Sequence, residues 1–198
     1  MLMSTARDGL CLDYANTLSW RGSEAPTEWL GDIAALADWA AGTTGLSAEA
    51  AQDFKRWSSL HPEPAARLFD RAIAVREAIY RIFSALAAGD PARDRDIAVL
   101  NRALASAPAR RRLASWEGGY AWQVDRVGHS APALLAPVLW SAGDLMIQRE
   151  RRYVRQCANE KCLWLFVDES KSGTRRWCDM TSCGNRAKAR RHYLKVKG

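Results

Sequence analysis

Long apolar runs are missing from this chain of 198 residues. No stretch approaches the roughly 20 apolar residues that a membrane-spanning helix needs. The opening MLMSTARDGLCLDYANTL carries Asp8 and Asp13 where a signal peptide would keep an apolar core. A cytosolic protein with reduced thiols is therefore expected, without a membrane partner. Histidine is scarce: His61, His129 and His192 are all there are. There is no glycine-rich phosphate loop, and no nucleophile, base and orienter stand at recognisable spacing, so the expectation is that the chain is not an enzyme. It has no internal repeat and no heptad seam, which leaves a homodimer possible but without a coiled coil to build it.

Acidic residues are also scarce in one place. Residues 151–198 hold 13 Lys plus Arg against 4 Asp plus Glu, a net of +9, while the whole chain is +7. The rest of the molecule is therefore slightly acidic, and all the excess positive charge lies in the last quarter. Such segregation points to a polyanion-binding tail on a near-neutral body. With 48% hydrophobic and 26% charged residues the chain has the composition of a folded globular protein.

Helical periodicity dominates the first three quarters. Thr27–Ala40 places Trp29, Ile33, Leu36 and Trp39 on one side, with Thr27 as N-cap. Ser47 caps a second helix through Phe54 and Trp57, ended by Pro62 and Pro64. The strongest pattern is Pro64–Ala88, where Leu68, Ala72, Val75, Ile79, Ile82, Phe83 and Leu86 form a stripe. Gly89 ends it, and Asp90-Pro91 opens a helix to about Ala107. Leu113–Trp116 and Tyr120–Val127 flank Gly118-Gly119 as a hairpin, and Pro132 to about Arg149 reads as a last helix.

Cysteine is the informative residue. Cys157 and Cys162 have four residues between them, as do Cys178 and Cys183, and fifteen separate the pairs. Two short-spaced pairs joined by a hairpin-length insert can converge on one tetrahedral Zn2+. Leu163–Val167 reads as a strand, Asp168–Gly173 as a turn and Thr174–Trp177 as a returning strand, with Thr181 or Ser182 capping a helix that starts near Cys183. The competing reading is two disulfides or four buried thiols, which a reducing compartment disfavours. A closed four-thiolate shell leaves no position for water, so the ion is structural. Cys11, far away in sequence, reads as a core residue.

After Cys183 the helix carries Asn185, Arg186, Lys188, Arg190 and Arg191. Lys and Arg there can neutralise phosphates while Asn185 or Arg186 near the helix start reaches base edges, with Arg175 and Arg176 gripping the adjacent backbone. Against this, four thiolates and one Zn2+ sum to a charge of −2, which nearby cations such as Lys161, Arg175 and Arg176 can offset. A net of +9 exceeds that need. Trp164, Phe166 and Trp177 suit either a small core over the metal or base stacking.

The string CGNR at Cys183–Arg186, preceded by RRWC at Arg175–Cys178, resembles the CGNR zinc-finger family of bacterial regulators. Cys157, Cys162, the Phe166-Val167-Asp168 strand end and the basic tail share the likeness. GLCLDYANTL, Gly9–Leu18, resembles the start of the helical ABATE domain that accompanies this finger. The resemblance implies a stress-induced transcription regulator, with the finger on DNA and the N-terminal domain as sensor or dimerisation unit.

The expected class is mainly α with a small β-hairpin (α+β): a helical N-terminal domain over residues 1–150 and a treble-clef-like zinc finger over 151–198. Asp13, Asn16 and Trp20, with Arg76, stand among apolar neighbours, and form either a pocket for a small-molecule effector or a hydrogen-bonded network tying helices together. The alternative to DNA is an RNA-binding or protein-interaction zinc module.

Overall fold

The computed structural model describes residues 2–3, 9–116, 119–124, 129–148 and 153–197. Strand β1 (Leu2–Met3) precedes helix α1 (Leu10–Ala15), in which Leu10, Cys11, Leu12, Tyr14 and Ala15 are all buried. A helix of six residues with that much apolar surface is held by its surroundings rather than by propensity. It packs on the later helices and the finger, with the Tyr14 hydroxyl donating to the Ala72 carbonyl at 2.8 Å and the Cys11 N–H donating to Ser141 Oγ at 3.2 Å.

Strands β2 (Leu18–Ser19) and β3 (Thr27–Glu28) pair antiparallel around a loop that holds Trp20, Arg21 and Gly22. This corrects the helix expected from Thr27. Helix α2 runs Ile33–Thr43, and Asp32 is its cap, accepting from the Ala35 N–H at 2.7 Å. Glu28 is drawn out of any helix by Arg76, which binds both its oxygens at 2.6 and 2.7 Å. Trp29 accordingly leaves the apolar stripe and is 66% exposed, while Trp39 stays on it, 5.1 Å from the Tyr14 ring.

Helix α3 (Ala48–Leu60) is capped by Ser47 as expected, and α4 (Pro62–Ala88) carries the long stripe, buried at Leu68, Ala72, Val75, Ile79, Ile82 and Phe83. Leu86, at the far end of the stripe, is 40% exposed. Gly89 closes α4 at φ 84°, a left-handed backbone that glycine adopts without a Cβ clash. Helix α5 (Asp94–Ala105) starts later than expected, after an extended Pro91–Arg93 segment, because Asp94 and Asp96 in its first turn complement the helix dipole and Asp96 pairs with Arg81 at 2.6 Å.

Strands β4 (Arg112–Trp116) and β5 (Gly119–Gln123) form the expected hairpin, with Leu113 opposite Trp122, and β1 adds to its other edge. The expected last helix is two: α6 (Ala131–Leu134) and α7 (Ala136–Ile147), broken at Leu135 because Pro137 has no N–H to continue the ladder. Strands β6 (Tyr153–Gln156) and β7 (Leu165–Asp168) then pair antiparallel, and helix α8 (Asn185–Lys197) ends the described chain. Eight α-helices and three small antiparallel sheets among the described residues confirm the α+β class. None of the described helices is long and apolar enough to cross a membrane.

Candidate zinc centre and nucleic-acid interface

The zinc centre is built from three short segments. Strand β6 delivers Cys157, whose N–H donates to the Trp164 carbonyl at 2.8 Å, so the pair of strands closes directly behind the first ligand. The turn to Cys162 is organised by Asn159. Its carbonyl accepts from the N–H groups of Cys162 and Leu163 at 2.8 and 3.1 Å, its Oδ1 accepts from Lys161 N–H, and its Nδ2 points at Cys183 Sγ 3.5 Å away. An Asn that folds its own turn is the Asx-type signal that could have marked it in the sequence.

The insert differs from expectation. Thr174–Trp177 is not a strand; β7 pairs instead with β6, which precedes the first cysteine. The physical reason is Asp168, 2% exposed, which accepts from Ser170 N–H and Oγ and from Arg175 N–H and so winds the chain into a tight turn. The Ser170 hydroxyl bond is the main reason its carboxyl lies below the usual range. The stretch is tied to the first ligand pair where Ala158 N–H donates to the Arg176 carbonyl at 2.9 Å, and Trp177 packs over the cluster. At the last ligand, Met180–Gly184 makes one wider turn of π type before α8, and its cap is Asp179 rather than Thr181 or Ser182.

Together these segments bring Cys157, Cys162, Cys178 and Cys183 together with their sulfurs all within 4.8 Å of one another. Cys162 and Cys178 Sγ stand 3.7 Å apart, which matches the edge of about 3.8 Å of a tetrahedron with Zn–S bonds of about 2.3 Å. None of the four is in a disulfide. The Cys162 thiol is pulled down to about 5, first by the hydrogen bond from Cys178 and further by the Trp164 N–H, while that shared proton drives Cys178 up. Phe166, Trp164 and Trp177 cover the sulfurs as a small core, joined by Trp20 from the β2–β3 loop.

The basic residues divide into two kinds. Arg175 donates to the carbonyls of Trp177 and Cys178 and lies over the Phe166 ring at 4.6 Å, so it braces the loop of the third ligand. Arg176 lies over Trp177 at 5.5 Å, and Asn185 Nδ2 donates back to the Thr181 carbonyl at 3.1 Å. Lys188 and Arg190 are exposed, and no carboxylate among the described residues pairs with either. The Arg191 and His192 side chains lie outside the described residues.

A family model described as "putative stress-induced transcription regulator", ABATE, matches residues 8–148. The chain belongs to the ABATE family. A CGNR zinc-finger model matches residues 153–195, and with the sulfur geometry it establishes one structural Zn2+ held by the four cysteines. No curated protein matches the chain.

The CGNR finger is joined to the ABATE domain through residues that are also the candidates for an effector pocket. Both ends of the Asn16 amide bond the Leu165 backbone. Arg76, its side chain 3% exposed, is held by Glu28, Glu77 and Thr17. Trp20 stacks under Arg186, and Asp13 has its own partner. The structure thus uses Asn16, Trp20 and Arg76 as ties within the chain. Tyr80 of α4 adds another, donating to the Leu163 carbonyl at 3.1 Å and accepting from Gln156, which also reaches Ser84. Tyr80, Gln156 and Gly22 carried no sequence signal, because each matters only through a partner far along the chain.

Proposed function

We propose that this ABATE protein is a DNA-binding regulator whose CGNR finger lays α8 against the phosphates of duplex DNA. The observation that carries the reading is the gathering of cations on one helix that has no carboxylate of its own. In the ABATE domain Arg21, Arg76, Arg81 and Arg110 are each paired with a carboxylate, of Glu77, Glu28, Asp96 and Asp144 respectively, and residues 1–150 as a whole carry slightly more acid than base. Helix α8 contains no acidic residue, and its Lys188 and Arg190 stand exposed without a carboxylate partner among the described residues. Charge compensation of the zinc centre does not account for them, since Arg175 already lies against that loop. Uncompensated cations along one helix are what phosphate neutralisation requires. No catalytic step enters this reading, because four protein ligands close the metal shell.

The test is a salt series with zinc-loaded protein and random duplex DNA, beside a Lys188→Ala, Arg190→Ala, Arg191→Ala variant. The affinity of the unaltered protein is expected to fall steeply with salt, by about 0.9 log units per phosphate for each log of salt, and the variant to lose most of that slope. Tighter binding to structured RNA than to duplex DNA in competition would move the partner to RNA. No nucleic-acid affinity at low salt would make α8 a protein-docking face.

A further inference from the structure

We propose that the ABATE domain sets the pose of the basic helix by direct contact, the Arg186 guanidinium resting on the Trp20 indole, so that Arg186 positions α8 instead of binding phosphate. This deepens the DNA-binding reading and rests on it, and it assigns to the β2–β3 loop control over how the finger is presented.

Arg186 Cζ lies 4.7 Å from the Trp20 ring centroid. A guanidinium is weakly hydrated and stacks well on an indole face. The same Trp20 side chain packs into the cover of the four cysteines beside Trp164 and Trp177. One ring of the ABATE domain therefore touches both the metal's apolar shell and the second residue of α8. Trp20 holds a left-handed backbone, φ 55°, which a non-glycine residue adopts only when its neighbours impose it.

Two residues on from Trp20, Gly22 is pressed against the finger: a Cβ there would stand 1.8 Å from the Glu160 carbonyl oxygen, in the turn between Cys157 and Cys162. Between them Arg21 is bidentate to Glu77 at 2.7 and 3.0 Å and lies 3.8 Å over the Tyr80 ring, which fastens the loop to α4. The loop thus grips the finger at its first ligand pair and just after its last ligand. Any shift of α4 or of this loop is transmitted to α8 through Trp20. Lys188 and Arg190 have no such tether among the described residues, and remain available to an outside partner.

The experiment is a double-mutant cycle on the zinc-loaded full chain: Trp20→Ala, Arg186→Ala and both, with Trp20→Phe and Arg186→Lys as conservative partners. Amide hydrogen exchange over α8 is the first readout. Each alanine variant is expected to speed exchange about two- to five-fold, the double variant no more than either single, and the Phe and Lys variants to keep most of the protection. Additive effects in the cycle would overturn the contact. Gly22→Ala, which removes no cation, is expected to speed exchange in both the 157–163 turn and α8; unchanged exchange there would overturn the loop's grip. The second readout is the salt series on duplex DNA. Arg186→Ala and Trp20→Ala are expected to weaken binding alike with an unchanged slope. A slope reduced by about 0.9 in Arg186→Ala alone would make Arg186 a phosphate contact and sink the proposal. If the unaltered protein binds no DNA, the functional reading fails while the exchange cycle still decides the contact.

Discussion

Asn16 and Leu165 face each other across the joint between the helical domain and the finger: the Asn16 amide donates to the Leu165 carbonyl at 2.8 Å and accepts from its N–H at 3.0 Å. Both are buried, at 2% and 1% exposure, so neither backbone group has water as an alternative. The side chain acts as a strand neighbour for β7. Asn16→Ala leaves a buried N–H and C=O unpaired, and an unsatisfied group costs about 1–3 kcal/mol. The expected loss is about 2–4 kcal/mol in urea unfolding. A loss under about 0.5 kcal/mol would mean that water replaces the amide.

Acid is expected to weaken the ABATE domain through Glu28 and Glu77. Burial raises the pKa of each, but hydrogen bonds from Arg76 to Glu28 and from Arg21 to Glu77, with the charges behind them, outweigh it, so both lie below the ordinary 4.5. Groups lowered by folding contribute stability above their unfolded value, and that stability is lost as pH falls through the folded value. Melting temperature should therefore hold above pH of about 4.5 and fall below it. Glu28→Gln should be less stable at neutral pH by about 1–2 kcal/mol, less than for a fully buried pair because Glu28 keeps 37% exposure, and its pH curve should be flatter. Taking the difference between variant and parent at saturating zinc cancels the loss of metal in acid. Parallel curves for the two proteins would refute the assignment.

Removing zinc should destabilise more than the finger. Leu165 lies in the same apolar core as Leu10, Tyr14 and Ile79, with Val154 and Val167 packed against it, so the β6–β7 pair is part of the body's interior. Chelation is expected to lower the main thermal transition as well as to change tryptophan fluorescence, and Cys183→Ser to do the same. The thiols supply a second check. Chelated native protein should expose four fast-reacting thiols, while Cys11, wholly buried and pushed up to about 12 by desolvation, reacts only in denaturant. A fifth fast thiol in the native protein would contradict the packing of α1.

Arg175 is expected to hold zinc in place without touching DNA. Its guanidinium spans the Trp177 and Cys178 carbonyls, a fork that a lysine ammonium cannot reproduce. Arg175→Ala and Arg175→Lys should both release zinc to a chelator faster, about five- to tenfold for the loss of one or two such bonds, with the DNA salt slope unchanged. A fall in slope with normal zinc retention would return Arg175 to the phosphate contacts.

The metal site was legible because its information is local. Four cysteines in two close pairs need only a short insert to converge, and that paired spacing is written in the chain itself. The stripe of α4 was legible for the same kind of reason, since a 3.6-residue period is written along the helix itself. What misled at Thr27 was an apolar period that a distant residue overrides: Arg76 claims Glu28 from 48 positions away and draws the segment into β3. At Thr174–Trp177 three bonds to one buried carboxylate, Asp168, favour a turn over the strand that residue types suggested.

By itself the sequence determined the ligands of the zinc, the helical character of the body, the hairpin of β4 and β5 and the gathering of positive charge in the last quarter, all set by spacing or composition within a short window. Only the tertiary structure decided that β6 pairs with β7, that Asn16, Trp20 and Arg76 tie elements together, and that Arg175 braces a loop. The reason is that hydrogen bonds and stacked rings act over a few ångströms in space, whereas Asn16 and Leu165 are 149 residues apart in the chain and nothing near either one names the other.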